Sequence, residues 1–331
     1  MKKTNERRFF DLVYSQLQPS EVIPSESPDF ICHVGGVPVL GVEITELFRN
    51  EGYARLKKIP GYTLQLIKSK AYKHKYDKQY IKVEKAQIRN SDGTFNKEIQ
   101  GIFHPGVTAH EAVTCLNSLI NKKCNKAPDY LKLAPEIDLV IHDASELFSA
   151  EVQLIFGSLS LFLDRSIITS PFREIFLLIT KRDKSAVKLP LKLALFLEDA
   201  FIFEKLIRED TTLKKQRPNA FYLLFYCLQE KGYGSYKTII ESDSISVVVG
   251  AHEYIYTVDD KYINEVPLGY NIPEKIHKTV SECIMDKDDQ IVKIGQRYLD
   301  ERKTLNCFID VFSNCVKSNK ERGAEKWKFE I

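Results

Sequence analysis

Two carboxylates, Asp29 and Glu43, flank a turn and have the chemistry to share a cation. Asp29 follows Pro28 and opens a short β-prone run to Val34. Gly35-Gly36 marks a tight turn, and Glu43 lies inside the apolar run from Val37 to Thr45. Two strands paired across that turn carry Asp29 and Glu43 to one end of a sheet. Acids brought together are costly unless positive charge sits between them. A hard divalent ion such as Mg²⁺ (or Mn²⁺) takes oxygen ligands of this kind. Side chains alternate along a strand, so Glu43 and Thr45 share one face while Ile44 points into the core. An acid among apolar strand neighbours also needs a partner.

The elements that must position this pair follow from periodicity. Phe9, Leu12, Val13 and Leu17 recur at helical spacing over residues 6–17, and Pro19 and Pro24 end that helix. Residues 61–74 read as a helix after a loop that holds Arg55, Lys57 and Lys58. Residues 80–102 read as an inserted hairpin turning at Asn90-Ser91-Asp92-Gly93. Thr108 with Glu111 three residues on is a capping box for a helix to Asn121. Residues 136–142 and 173–180 are apolar enough for buried strands, with an apolar helix at 145–163 between them. Strands alternating with helices imply an α/β fold, a mixed β-sheet flanked by helices. The character changes near residue 184. Helices are expected at 189–208, 219–229, 273–285 and 289–316, and short strands at 237–241, 245–249 and 253–258. This gives a core over 1–183, with a basic hairpin insertion near 78–105. A mainly helical α+β region for recognition, dimerisation or partner binding follows at 184–331.

Pro28-Asp29…Glu43-Ile44-Thr45, in that order of elements, resembles the core of the PD-(D/E)xK (restriction-endonuclease-like) nuclease superfamily over roughly residues 5–180. The resemblance implies a metal-dependent endonuclease hydrolysing phosphodiester bonds, with DNA as the expected substrate and a place in restriction or phage defence. Asp29 and Glu43 become the metal ligands, joined by Glu6 from the opening helix. The metal lowers the pKa of a bound water and stabilises charge at phosphorus. The motif's lysine is replaced by Thr45. Its role passes to Lys68 or Lys70 on the next helix, with Lys68 favoured because it shares a face with Gln65; to Arg55, Lys57 or Lys58; or to nothing. In the last case the chain is a catalytically inactive nuclease-fold module that binds nucleic acid or a protein partner. An unrelated α/β enzyme acting on a small phosphate compound is a more distant reading.

Charge distribution adds to this. The chain's net charge is +3, yet Arg49 to Arg89 holds twelve Lys/Arg against three acids. A cationic stretch beside a metal site suits a polyanion. Lys70, Lys73, Lys75 and Tyr76, with Arg55, Lys57 and Lys58, are the candidate nucleic-acid contacts, because interleaved aromatics and cations bind phosphates and stack on bases. No apolar run reaches about 20 residues, so no membrane span is expected, and cytoplasm is the expected compartment. Seven cysteines without CxxC spacing point to free thiols. His104 and His110-Glu111 lack HExxH spacing, His142 and Asp143 end a buried strand as a polar turn that a sheet-edge site could recruit, and no phosphate-binding glycine loop is present. A homodimer or a defence-system partner protein is compatible with the chain.

Overall fold

A computed structural model describes residues 2–14, 19–103, 106–148, 162–163, 165–180, 186–209, 227–228, 231–233, 238–240, 244–257 and 261–269. Helix α1 (Lys2–Tyr14) leads into strands β1 (Glu21–Pro24), β2 (Phe30–Val34) and β3 (Val37–Leu47). Helices α2 (Glu51–Lys58), α3 (Tyr62–Ser69) and α4 (Asp77–Tyr80) precede the hairpin β4 (Lys82–Arg89) and β5 (Phe95–Phe103). Next come α5 (Ala109–Cys124), α6 (Ala127–Tyr130), β6 (Glu136–Asp143), β7 (Ile175–Thr180), β8 (Ala186–Pro190) and α7 (Leu191–Glu209). Strands β9 (Thr238–Ile240), β10 (Ser244–Val249), β11 (His252–Thr257) and β12 (Lys261–Glu265) form an antiparallel meander. The main sheet has six strands in the order β1-β2-β3-β6-β7-β8. It is parallel across β3-β6-β7 and antiparallel at both edges. The expected mixed sheet flanked by helices is thus present.

Alternation along β3 sorts the core into two faces. Leu40, Val42 and Ile44 pack with Phe9, Phe10, Val13 and Tyr14 of α1. Leu47 lies on the other face with Ala112, Val113, Leu116 and Ile120 of α5, beside Ile137, Leu139 and Ile141 of β6. The inward stripe of α1 is one position off the expected one: Leu12 is exposed, and Phe10 and Tyr14 take the buried places. Aromatic side chains at 10 and 14 bury more surface than Leu12. On this α1 face His142 stacks on Phe9 with centroids 4.2 Å apart and meets Thr180 Oγ1 through Nε2 at 3.1 Å. Burial first, then Lys57 and Arg8, push its pKa down to about 4. It is a neutral core histidine.

The turn is built as the glycines require. Gly35 (φ 60°) and Gly36 (φ 79°) are both left-handed, as a two-residue primed turn demands. A bulge then intervenes. Val34 pairs with Val37 and His33 with Pro38, but Cys32 pairs with Leu40, so Val39 is the extra residue. Pro38 has no N–H for a regular ladder, and prolines collect at such bulges.

Several expectations need correction. Arg55, Lys57 and Lys58 lie on a helix, α2, not a loop; Asn50 caps it by accepting from Tyr53 N at 3.2 Å. The expected helix at 61–74 stops at Ser69, with Lys70 at φ 52° as its left-handed cap. Nor does the core break at residue 184. Strand β8 extends the main sheet, and α7 and the meander (Phe196, Phe203, Val247, Val249, Tyr254) share one hydrophobic cluster with β6 and β7. The meander's fourth strand, β12, was not expected. The helices expected at 273–285 and 289–316, and most of those at 145–163 and 219–229, lie outside the described residues. Among the described residues no helix is long and apolar enough to cross a membrane.

Candidate active site

The bulge at Val39 assembles the site. Regular pairing from the turn would set Asp29 opposite Val42. The extra residue moves the register by one, so that Phe30 pairs with Val42 and Glu43 comes opposite Asp29. The Asp29 carboxylate confirms the approach by accepting from Ile44 N at 2.8 Å. Pro28 seats this entry to β2 by packing over Gly41. A Cβ on Gly41 would lie 2.8 Å from Pro28 Cγ and 3.2 Å from Ile137 Cγ2. Gly41→Ala is therefore expected to lift the Pro28-Asp29 turn and to cost about 1–3 kcal/mol, measured by urea unfolding followed by circular dichroism.

Glu43 is buried and paired. Lys123 Nζ lies 2.5 Å from Glu43 Oε1, with side-chain exposures of 15% and 9%. Tyr130 lies beside Glu43 and Ser27, close enough for both to shift its phenol. Burial first, and the Glu43 charge second, raise the Tyr130 phenol far above its ordinary range, so a neutral phenol faces the carboxylate. Lys123 sits in the last turn of α5, where the helix dipole favours a cation. Neither Lys123 nor Tyr130 was singled out from the sequence. The signal for Lys123 was there: it follows Leu116 by seven and Ile120 by three, on the buried stripe of α5.

The other candidates fall elsewhere. Thr45 is half-buried one residue pair along the same face of β3 as Glu43. Lys68 is exposed on α3, and the ammonium that reaches Glu43 belongs to Lys123, not to Lys68. Glu6 lies three and four residues before Phe9 and Phe10, so it faces the α1 side of the sheet, opposite Glu43. The strand layer separates it from Asp29 and Glu43 as a shared ligand.

Three of the basic candidates are committed to structure. Arg55 donates to the buried Asp77 through Nε at 2.9 Å and Nη2 at 2.5 Å, and pairs with Glu51 at 3.2 Å. Lys57 donates to the Ala144 carbonyl. Lys58 pairs with Glu46 at 3.3 Å and lies over Phe48. Lys70, Lys73, Lys75 and Tyr76 are exposed. Their loop is held by a buried knot in which Tyr62 donates to Asp77 at 2.6 Å and accepts from Lys73 N at 3.1 Å, while Tyr72 donates to Ile81 O. Lys75 lies over the Tyr76 ring at 4.8 Å.

The donor set can be weighed for a metal. Among the described residues no group of three or more His, Cys, Asp or Glu side chains is placed to hold one. Asp29 and Glu43 offer two hard oxygen donors. That fits Mg²⁺, which commonly takes one or two carboxylates and completes its shell with water and substrate phosphate. It does not fit an all-protein cage. Comparisons with protein-family models, curated proteins and solved structures find no match to this chain.

Proposed function

We propose that this chain is a metal-dependent nuclease of the PD-(D/E)xK type, with Asp29 and Glu43 as metal ligands and Lys123 in the role of the motif's lysine. The observation that carries this reading is the Lys123–Glu43 contact. A cation from α5 reaches the acid that Thr45 leaves without a motif lysine. The order α1-β1-β2-β3-α5-β6, with β6 parallel to β3, also suits the superfamily core. When bound, the metal supplies a water of lowered pKa and charge stabilisation at phosphorus. Tyr130 packs beside the Glu43 carboxylate, Pro28 and Ile44 N fix Asp29, and Lys123 would hold a phosphate oxygen or orient the attacking water. DNA is the proposed substrate, and restriction or phage defence the proposed setting. Incubation of plasmid, single-stranded DNA and RNA with Mg²⁺, Mn²⁺ or EDTA tests the reading. Cutting that needs the metal supports it, and intact substrates under every condition refute it.

The exposed loop supplies the proposed polyanion contact. Lys73→Gln/Lys75→Gln is expected to weaken DNA binding and to lower the slope of log K against log salt by about 2, read by fluorescence anisotropy over a salt series.

A second reading draws on the same ion pair. A Glu43 charge already met by Lys123 and Tyr130 has less need of a metal, which favours a module that binds nucleic acid or a protein partner without cutting. DNA binding that is indifferent to EDTA and to Asp29→Asn would select it.

A further inference from the structure

We infer that Lys123 is the resident counter-ion of Glu43 and that a divalent ion binds by displacing it. The inference rests on the metal-site reading above and concerns how that site is filled. Glu43 stands in the middle of β3, with Val42 and Ile44 buried on either side. A carboxylate so placed is not left bare. Among the described residues its charge is met by Lys123 Nζ at 2.5 Å, and the neutral Tyr130 phenol lies beside it. The ammonium therefore lies on Glu43 Oε1, and a metal drawn to the same carboxylate competes with it, because two cations repel in a poorly solvated site.

The geometry allows the exchange. Lys123 ends α5 on a four-carbon stem and keeps 15% of its side chain in contact with solvent, so it can swing outwards while its helix stays packed through Val113, Leu116 and Ile120. Tyr130 holds its place, because it is 1% exposed on its own short helix. Asp29 is fixed by the Ile44 N–H and supplies the second oxygen ligand. Lysine release thus accompanies metal entry, and the freed ammonium is left beside the space for a phosphate. The consequence is unusual for a residue in the lysine role. Neutralising it strengthens metal binding while it weakens turnover.

Calorimetric titration with Mn²⁺ alone, without nucleic acid, tests this. Lys123→Gln keeps a hydrogen-bond donor to Glu43 without the charge, and is expected to bind Mn²⁺ about tenfold or more tightly than the wild type. An independent reading uses the wild-type protein. Acetylation of Lys123 by an amine-reactive reagent, quantified by mass spectrometry, is expected to rise severalfold when Mn²⁺ is added, and not to rise in Asp29→Ala. Unchanged or weaker Mn²⁺ binding in Lys123→Gln, with Lys123 labelling indifferent to Mn²⁺, overturns the displacement and leaves the metal site standing. Absence of Mn²⁺ binding in both wild type and Lys123→Gln overturns the metal site itself, and the displacement with it.

Discussion

Glu43→Gln is expected to lower metal-dependent cleavage by about 10³-fold or more while the protein stays folded. The estimate treats the loss of one anionic metal ligand as at least about 4 kcal/mol of transition-state stabilisation, at 1.36 kcal/mol per factor of ten. Glutamine keeps the size of the side chain and an oxygen that can accept from Lys123, so the packing of β3 between α1 and α5 is preserved. What is lost is the charge. Asp29→Asn is expected to act similarly, since asparagine can still accept from Ile44 N. Initial rates of plasmid nicking over a Mg²⁺ series, with circular dichroism to check folding, measure both. Equal rates in wild type and Glu43→Gln would remove Glu43 from the chemistry. Thr45 offers a complementary test, because it shares the Glu43 face of β3. If Lys123 acts in the lysine role, moving the amine by Lys123→Gln/Thr45→Lys is expected to restore part of the activity that Lys123→Gln loses.

The acids were legible because their signals are local. A Pro-Asp start, a Gly-Gly turn and an acid inside an apolar run lie within a few residues of one another. The capping box at Thr108 and the strands at 136–143 and 175–180 were legible for the same reason. The cation was not. Lys123 is 80 residues from Glu43 along the chain, and the β4–β5 hairpin intervenes. Only the antiparallel run of α5 against β3 and β6 brings its last turn over Glu43. A nearest-neighbour search therefore settles on Lys68, whose helix belongs to a separate small cluster around Tyr62, Leu66 and Ile81. The register was hidden too. Uniform pairing from the turn gives Asp29 a partner with no charge, and a single bulged residue corrects it. The basic segment was legible in total charge but not in division of labour. Arg55 spends its guanidinium on the buried Asp77, and so holds in place the loop that presents Lys73 and Lys75.

Arg173→Met is expected to be the most destabilising single change away from the site, at about 3–5 kcal/mol. Asp138 is fully buried on β6, on the α1 face of the sheet. Its carboxylate accepts from Arg173 Nε at 2.9 Å and Nη2 at 2.5 Å, from Tyr14 Oη at 2.7 Å and from Glu174 N at 3.0 Å. Four donors saturate it, which explains why this acid, though buried in the sheet, is structural. The knot ties α1 to β6 and to the segment entering β7. Removing the guanidinium leaves a buried charge with two neutral donors, and that residual charge dominates the cost. Asp138→Asn in the same chain is therefore expected to recover part of the loss, because it removes the uncompensated charge while keeping an acceptor for Tyr14 or Glu174 N. Urea unfolding followed by circular dichroism measures this. Because Arg173 and Glu43 serve opposite faces of the sheet and share no partner, Arg173→Met and Glu43→Gln are expected to combine additively in stability. Cleavage by Arg173→Met, measured well below its melting temperature, is expected to stay near that of the wild type. A loss of cleavage on the scale of Glu43→Gln would instead tie the α1 face to the chemistry.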